Sequence, residues 1–77
     1  MEPENSRERV EKDIREFEDA VSQISPKGKT ETGLVELAKR YRDDAEFYLK
    51  KGDLLTAFGC INYAYGIIDA IKVLSKG

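Results

Sequence analysis

Lys50-Lys51-Gly52-Asp53 interrupts a long stretch of helix-forming sequence, and this break constrains the fold more than any other feature of the chain. Two lysines stand where the negative end of a helix dipole favours positive charge. Gly52 follows at the position where a helix commonly ends in the left-handed conformation. Asp53 is then placed to cap the helix that begins after it. A link this short forces the helices on either side to run antiparallel and adjacent.

The helix before the break is predicted over about residues 31–51. Leu34, Leu37, Ala38, Tyr41, Ala45, Tyr48 and Leu49 share a face roughly 120° wide, with Val35 and Phe47 outside it. Thr30 is the expected N-cap, with Glu31 at the positive helix end. Upstream, Ser25-Pro26-Lys27-Gly28-Lys29 reads as a connection. A first helix is predicted over about residues 6–24, with Asn5 or Ser6 as its cap. Val10, Ile14, Phe17, Val21 and Ile24 recur at spacings of four, three, four and three, one narrow stripe. The other residues are mostly charged. Glu8–Lys12, Glu11–Arg15, Lys12–Glu16 and Arg15–Asp19 are opposite charges four apart.

The helix after the break, about residues 54–75, is of another kind. Leu54, Ala57, Cys60, Ile61, Tyr63, Ala64, Tyr65, Ile67, Ile68, Ala70, Ile71 and Leu74 cover an apolar arc of roughly 220°. Asn62 and Asp69 form a polar stripe flanked by Lys72 and Lys76. A helix apolar over so much of its circumference is central in a fold. The predicted architecture is therefore all-α: a single domain over residues 1–77, built as a three-helix up-and-down antiparallel bundle. No internal repeat or strand alternation competes with it.

Composition excludes several functions. The 77 residues contain 13 basic and 15 acidic side chains, interspersed, for a net charge of −2. A nucleic-acid-binding face needs a basic excess, so none is expected. No apolar run is expected to approach the ~18 residues of a membrane span, and the acidic start Met1-Glu2-Pro3-Glu4 is unlike a signal peptide. A cytoplasmic protein without membrane contact is expected. With no His and one Cys, a zinc site of the usual kind cannot be assembled from one chain, and neither metal nor cofactor is expected.

Each motif with chemical potential has a structural explanation beside it. Gly28-Lys29-Thr30 matches the end of a phosphate-binding loop, but Gln23 stands where that loop needs its first glycine, and a helix precedes instead of a strand. Cys60 lacks a His to act as base and sits within the apolar arc, which fits a small packed residue better than a nucleophile. Tyr41, Tyr48, Phe58 and Tyr65 are either an aromatic cage or core residues with hydroxyls at the bundle edge. Asp43, Asp44, Glu46, Asp53 and Asp69 are candidate acids or cation ligands, with Asp44 and Asp69 of most interest because each borders an apolar face. Gly59 and Gly66 each cost about 1 kcal/mol relative to Ala inside a helix. Close approach of another helix of the bundle is the expected reason, with a binding groove the alternative.

Together, the segment from Tyr41 through Tyr48-Leu49 to Gly52-Asp53, then Thr56-Ala57-Phe58-Gly59-Cys60-Ile61-Asn62-Tyr63-Ala64-Tyr65-Gly66 and Asp69-Ala70, resembles an archaeal family known as domain of unknown function 357. The resemblance covers about the last half of the chain. It implies an archaeal source and a three-helix bundle, and it brings no activity with it. The hairpin is also similar to a tetratricopeptide unit, although one hairpin makes no array. RNA-cleaving helical domains have a similar hairpin, but they use an Arg–His pair and this chain has no His.

Two functional expectations follow. The first is a non-enzymatic protein-interaction module, self-associating or binding another protein through the third helix. Ala57, Cys60, Ala64 and Ile71 would face the core, while Tyr63, Ile67 and Leu74 stay open, extended by Phe47. The alternative is a small-molecule- or nucleotide-binding domain, or an enzyme, working at the edge between helices two and three. Its candidates are Tyr41, Asp44, Tyr48, Asn62 and Asp69. No residue stands out as catalytic.

Overall fold

The computed structural model describes the backbone of residues 3–76 and the side chains of residues 6–75. Three helices follow one another: α1 (Pro3–Ser22), α2 (Gly28–Lys50) and α3 (Leu54–Lys76). No strand occurs among the described residues. All three helices pack together in an elongated body of 41 × 20 × 16 Å, with α2 against α3 the most extensive pairing and α1 lying more on α3 than on α2.

The break between α2 and α3 is built from backbone hydrogen bonds. Gly52 adopts φ +83. Its N–H donates to the Leu49 carbonyl at 3.0 Å, and the Asp53 N–H donates to the Tyr48 carbonyl at 2.9 Å. This reciprocal pair is the Schellman arrangement, which satisfies carbonyls left over at a helix end. The Asp53 carboxylate Oδ1 accepts from the Thr56 N–H at 3.2 Å and caps α3 as expected.

The start of α2 differs from the expectation. The helix begins at Gly28, so Thr30 lies inside it and is not its cap. Lys27 occupies the capping position in extended conformation without a side-chain cap. Instead Glu31 Oε1 accepts from the Lys27 N–H at 2.9 Å, closing the turn from the other side. Gly28 takes φ +76, a conformation that a side chain would strain. At the other end of the chain, α1 starts at Pro3, upstream of Ser6, and stops at Ser22 instead of Ile24. The side chain of Asn5, a candidate cap, lies outside the described residues.

The core draws on one stripe from each helix. α1 contributes Val10, Ile14 and Phe17, with Val21 and Ile24 half-buried at its edge. α3 contributes Ala57, Ile61, Ala64, Ile68 and Ile71, at most 1% exposed. Burying an isoleucine fully is worth about 1.5–3 kcal/mol. Cys60, expected among these, is half-buried at the margin, because Ile61 and Ile68 occupy the centre of the inward face. On α2 the buried residues are Val35, Ala38, Ala45 and Leu49. Val35 was expected outside the face and Leu37 within it; the structure buries the first and exposes the second. The buried stripe of α2 is turned toward α1, which docks on the Val35 side.

By length and mean hydropathy (1.4 over its most apolar window), α3 qualifies as a membrane-spanning helix. This corrects the expectation that no segment would. It lacks charge for fifteen residues, Leu54–Ile68, before Asp69 and Lys72. In this fold, one face of that helix is the hub of the bundle.

Candidate functional site

Packing against α1 and α2 uses only part of α3. On the α1 side, the rings of Phe17 and Tyr65 meet edge to face with centroids 5.8 Å apart. Burial pushes the Tyr65 phenol above its ordinary pKa, and the carboxylates of Glu16, Asp13, Asp19 and Asp69 push it further. Asp69, one turn after Tyr65 on the same helix, follows it toward this edge. Asn62, one heptad earlier, is exposed on the same stripe.

On the opposite edge α3 meets α2 beyond the core. Tyr41 and Tyr63 lie with ring centroids 4.5 Å apart at an interplanar angle of 55°. Half-buried Cys60 and Ile67 line the same edge. Burial raises the Cys60 thiol above its usual pKa, and Asp44 and Asp53 add to the effect. The thiol is thus held protonated, the opposite of what a nucleophile requires. Tyr48 joins this edge and stacks edge to face on Phe47 at 5.1 Å; the Lys51 ammonium sits 4.9 Å from the Phe47 centroid.

The structure thus divides the five ligand candidates. Tyr41, Asp44 and Tyr48 lie on the α2 edge, whereas Asn62 and Asp69 lie along the α1 edge of α3. The structure sets them along two different edges of α3. Among the described residues, no group of three His, Cys, Asp or Glu side chains is arranged to hold a metal ion.

The interface candidates fare differently. Tyr63 and Leu74 are each 57% exposed, Phe47 is 52% exposed and Ile67 is half-buried. Two residues that the helical wheel did not single out are more exposed still: Leu55 at 85% and Val73 at 70%. They lie along the stripe read as polar, so Asn62 and Asp69 are polar positions within a second apolar face. Between them lie Gly59 and Gly66. A Cβ built at either glycine meets nothing within 4 Å. Close packing inside the bundle is therefore not the reason for these glycines.

A second feature went unread in the sequence. Arg42 bridges α2 to α1 by pairing with Glu18, and on its own helix it reaches Asp43 at 2.9 Å and Glu46 at 3.1 Å. Burial disfavours its charge, but hydrogen bonds to Asp43 and Glu18 and the nearby Glu46 outweigh that and raise its pKa. Two shallow grooves of about 490 and 420 Å³ flank this cluster along the α1–α2 seam. Three carboxylates already engage the guanidinium, so it has little left to offer an anionic ligand. Of the four charge pairs expected along α1, Lys12–Glu16 closes, at 3.9 Å. The other three do not reach ion-pair distance, while Arg9–Asp13, unforeseen, does.

With this geometry in place, the comparison with known families is informative. The sequence profile of the family described as "Protein of unknown function (DUF357)" matches residues 7–76. The chain belongs to this family. The match extends through α1, well beyond the half of the chain in which the resemblance was visible. A comparison with curated proteins finds no match.

Proposed function

We propose that this DUF357 chain is a non-enzymatic protein-interaction module and that the outer surface of α3 is its contact face. One observation carries the reading: Leu55, Tyr63, Val73 and Leu74 are exposed on a helix whose opposite face is the core. Contiguous apolar surface on a small domain marks a contact site. Covering it releases ordered water, and the polar cost is confined to its rim at Asn62 and Asp69, because no charged residue stands between Leu54 and Ile68. The candidate edge residues support the same reading, since the Tyr41–Tyr63 contact holds Tyr63 in a fixed, protruding position.

A photo-crosslinking residue placed at position 73 tests this in cells of the native host. The expected result is adducts with protein, lost when Leu55→Lys is added and absent when the same group is placed at Glu36. Adducts confined to lipid would overturn the reading in favour of a membrane contact, and labelling that ignores Leu55→Lys would overturn it as non-specific.

A further inference from the structure

Beside Val73, the outer face of α3 carries a row that mixes large and small residues. The row runs Leu55, Gly59, Tyr63, Gly66, Ala70, Leu74. The spacings are four, four, three, four and four, the same read from either end. Reversed onto itself, the row sets Leu55 against Leu74, Gly59 against Ala70 and Tyr63 against Gly66. Large meets large at the two ends, small meets small one step in, and at the centre a ring meets a glycine. We propose that the occupant of this face is a second copy of the chain, with the two α3 helices antiparallel about a two-fold axis near residues 64–65.

A two-fold interface is isologous: if residue i touches j, then j touches i. A palindromic row meets that condition without further adjustment, whereas an unrelated partner places no such demand on the sequence. Three structural facts agree. Tyr63 is exposed yet braced by Tyr41, so it is an ordered knob. Gly66 has open space where a side chain would stand, so it is a ready hole. Gly59 and Ala70, one on each side of the centre, let the two backbones come close. The two glycines thereby gain the reason that intramolecular packing does not supply. Along the rim, Asn62 and Asp69 sit one heptad apart on the same stripe. In the antiparallel pair the amide of each Asn62 is set to donate to the carboxylate of the opposite Asp69, twice over by symmetry.

The contact area sets the strength. The row from Leu55 to Leu74 is about 30 Å long and about 10 Å wide. That is about 300 Å² from each copy and about 600 Å² in total, less than a stable interface needs and the size of a weak, transient one. The dimer is therefore of the weak, transient kind.

This inference rests on the proposed contact face, and its test separates the two. Sedimentation of the full chain from ~5 to ~500 µM should show a reversible monomer–dimer equilibrium within that span. Gly66→Ala fills the hole for Tyr63 and should weaken dimerisation about tenfold or more, a loss of ~1.4 kcal/mol, without lowering the melting temperature. Register is read by disulfide trapping in a Cys60→Ser background, mixing a Gly59→Cys chain with an Ala70→Cys chain. The mixed species should form ahead of either symmetric one, since a disulfide needs Cα atoms within about 7 Å. A monomer at every concentration, a preference for the Gly59→Cys homodimer, or a Gly66→Ala chain that dimerises undiminished would each overturn the two-fold pairing. The crosslink at position 73 then distinguishes the failures. Adducts with a different protein, from a chain that stays monomeric, sink the pairing and support the contact face. Absence of any protein adduct sinks both.

Discussion

The two faces of α3 are similar in composition and opposite in fate. On the inner face Ala57, Ile61, Ala64, Ile68 and Ile71 are sealed against the stripes of α1 and α2. On the outer face Leu55, Tyr63, Val73 and Leu74 meet solvent, with two glycines and an alanine between them. The inner row alternates alanine with isoleucine: the alanines let neighbouring helices approach and the isoleucines fill the space between them. The outer row has the same mixture of small and large residues, and nothing among the described residues is set against it. Helix–helix packing needs both kinds of position, because side chains of one helix must enter gaps on the other. A face with gaps and knobs but no neighbour among the described residues is what the proposed contact asks for.

The largest expected effect separates these faces by stability. Ile61→Ala or Ile68→Ala should lower the unfolding free energy by about 2–5 kcal/mol, as core truncations do when the cavity cannot close. Leu55→Ala and Val73→Ala should stay within about 0.5 kcal/mol at concentrations where the chain is monomeric. Urea titration of the four variants reads both. A cost above ~1 kcal/mol at Leu55 in dilute solution would mean that the outer face belongs to the fold, and the comparison would collapse. Amide exchange should agree, with the slowest amides in α2 and α3 and faster opening in α1, because local stability follows buried apolar contact. Equal protection of residues 8–24 and 54–72 would contradict that order.

Most of the inner face was legible in the sequence, and the outer face was not, for a definite reason. The Lys50-Lys51-Gly52-Asp53 break names its own structure through dipole, left-handed glycine and capping carboxylate, all local effects. The stripe of α1 is likewise a local spacing. A helical wheel, however, knows nothing of which side of the α2–α3 hairpin α1 takes. That choice buried Val35 in place of Leu37 and put Arg42 beside Glu18. It also split the ligand candidates. Tyr41, Asp44 and Tyr48 border the apolar face of α2, and Asn62 and Asp69 border that of α3. Each helix has two such borders, and only one of them is shared with its hairpin partner. Leu55 and Val73 were overlooked because Asn62 and Asp69, on the same stripe, marked it as polar. Thr30 was a plausible cap by residue type, but a left-handed Gly28 and the reach of Glu31 moved the helix start upstream.

A smaller effect, opposite in sign, sharpens the comparison at the glycines. Gly59→Ala and Gly66→Ala should each stabilise the monomer by about 0.5–1 kcal/mol, because alanine loses less backbone freedom on entering a helix and the added Cβ meets open space. Thermal unfolding in dilute solution measures this. The same change at Ala57 or Ala64 in reverse, to Gly, should destabilise by a similar amount or more, since those positions are packed as well as helical. A glycine variant that loses stability would reveal a contact to the outer face within the monomer.

The smallest effect concerns the cover over the inner face. Arg42 ties α2 to α1 through Glu18, and its side chain remains 23% exposed while that of Glu18 is 48% exposed. Charge pairs this open to water contribute at most ~1 kcal/mol, and salt weakens them further. Glu18→Gln should therefore cost only a few tenths of a kcal/mol, and the cost should shrink further in ~1 M salt. Its signature should lie in where the loss appears. Amides of α1 should exchange faster while those around Ile61 and Ile68 hold their rates, because Val10, Ile14 and Phe17 still dock by apolar burial. Arg42→Ala should do somewhat more, since it also removes the aliphatic stem that lies along the α1–α2 groove. If Glu18→Gln instead accelerated exchange across α3 as strongly as across α1, the ion pair would be holding the whole bundle closed. The inner face would then be nearly as available to a partner as the outer one, and the contrast between them would be one of degree.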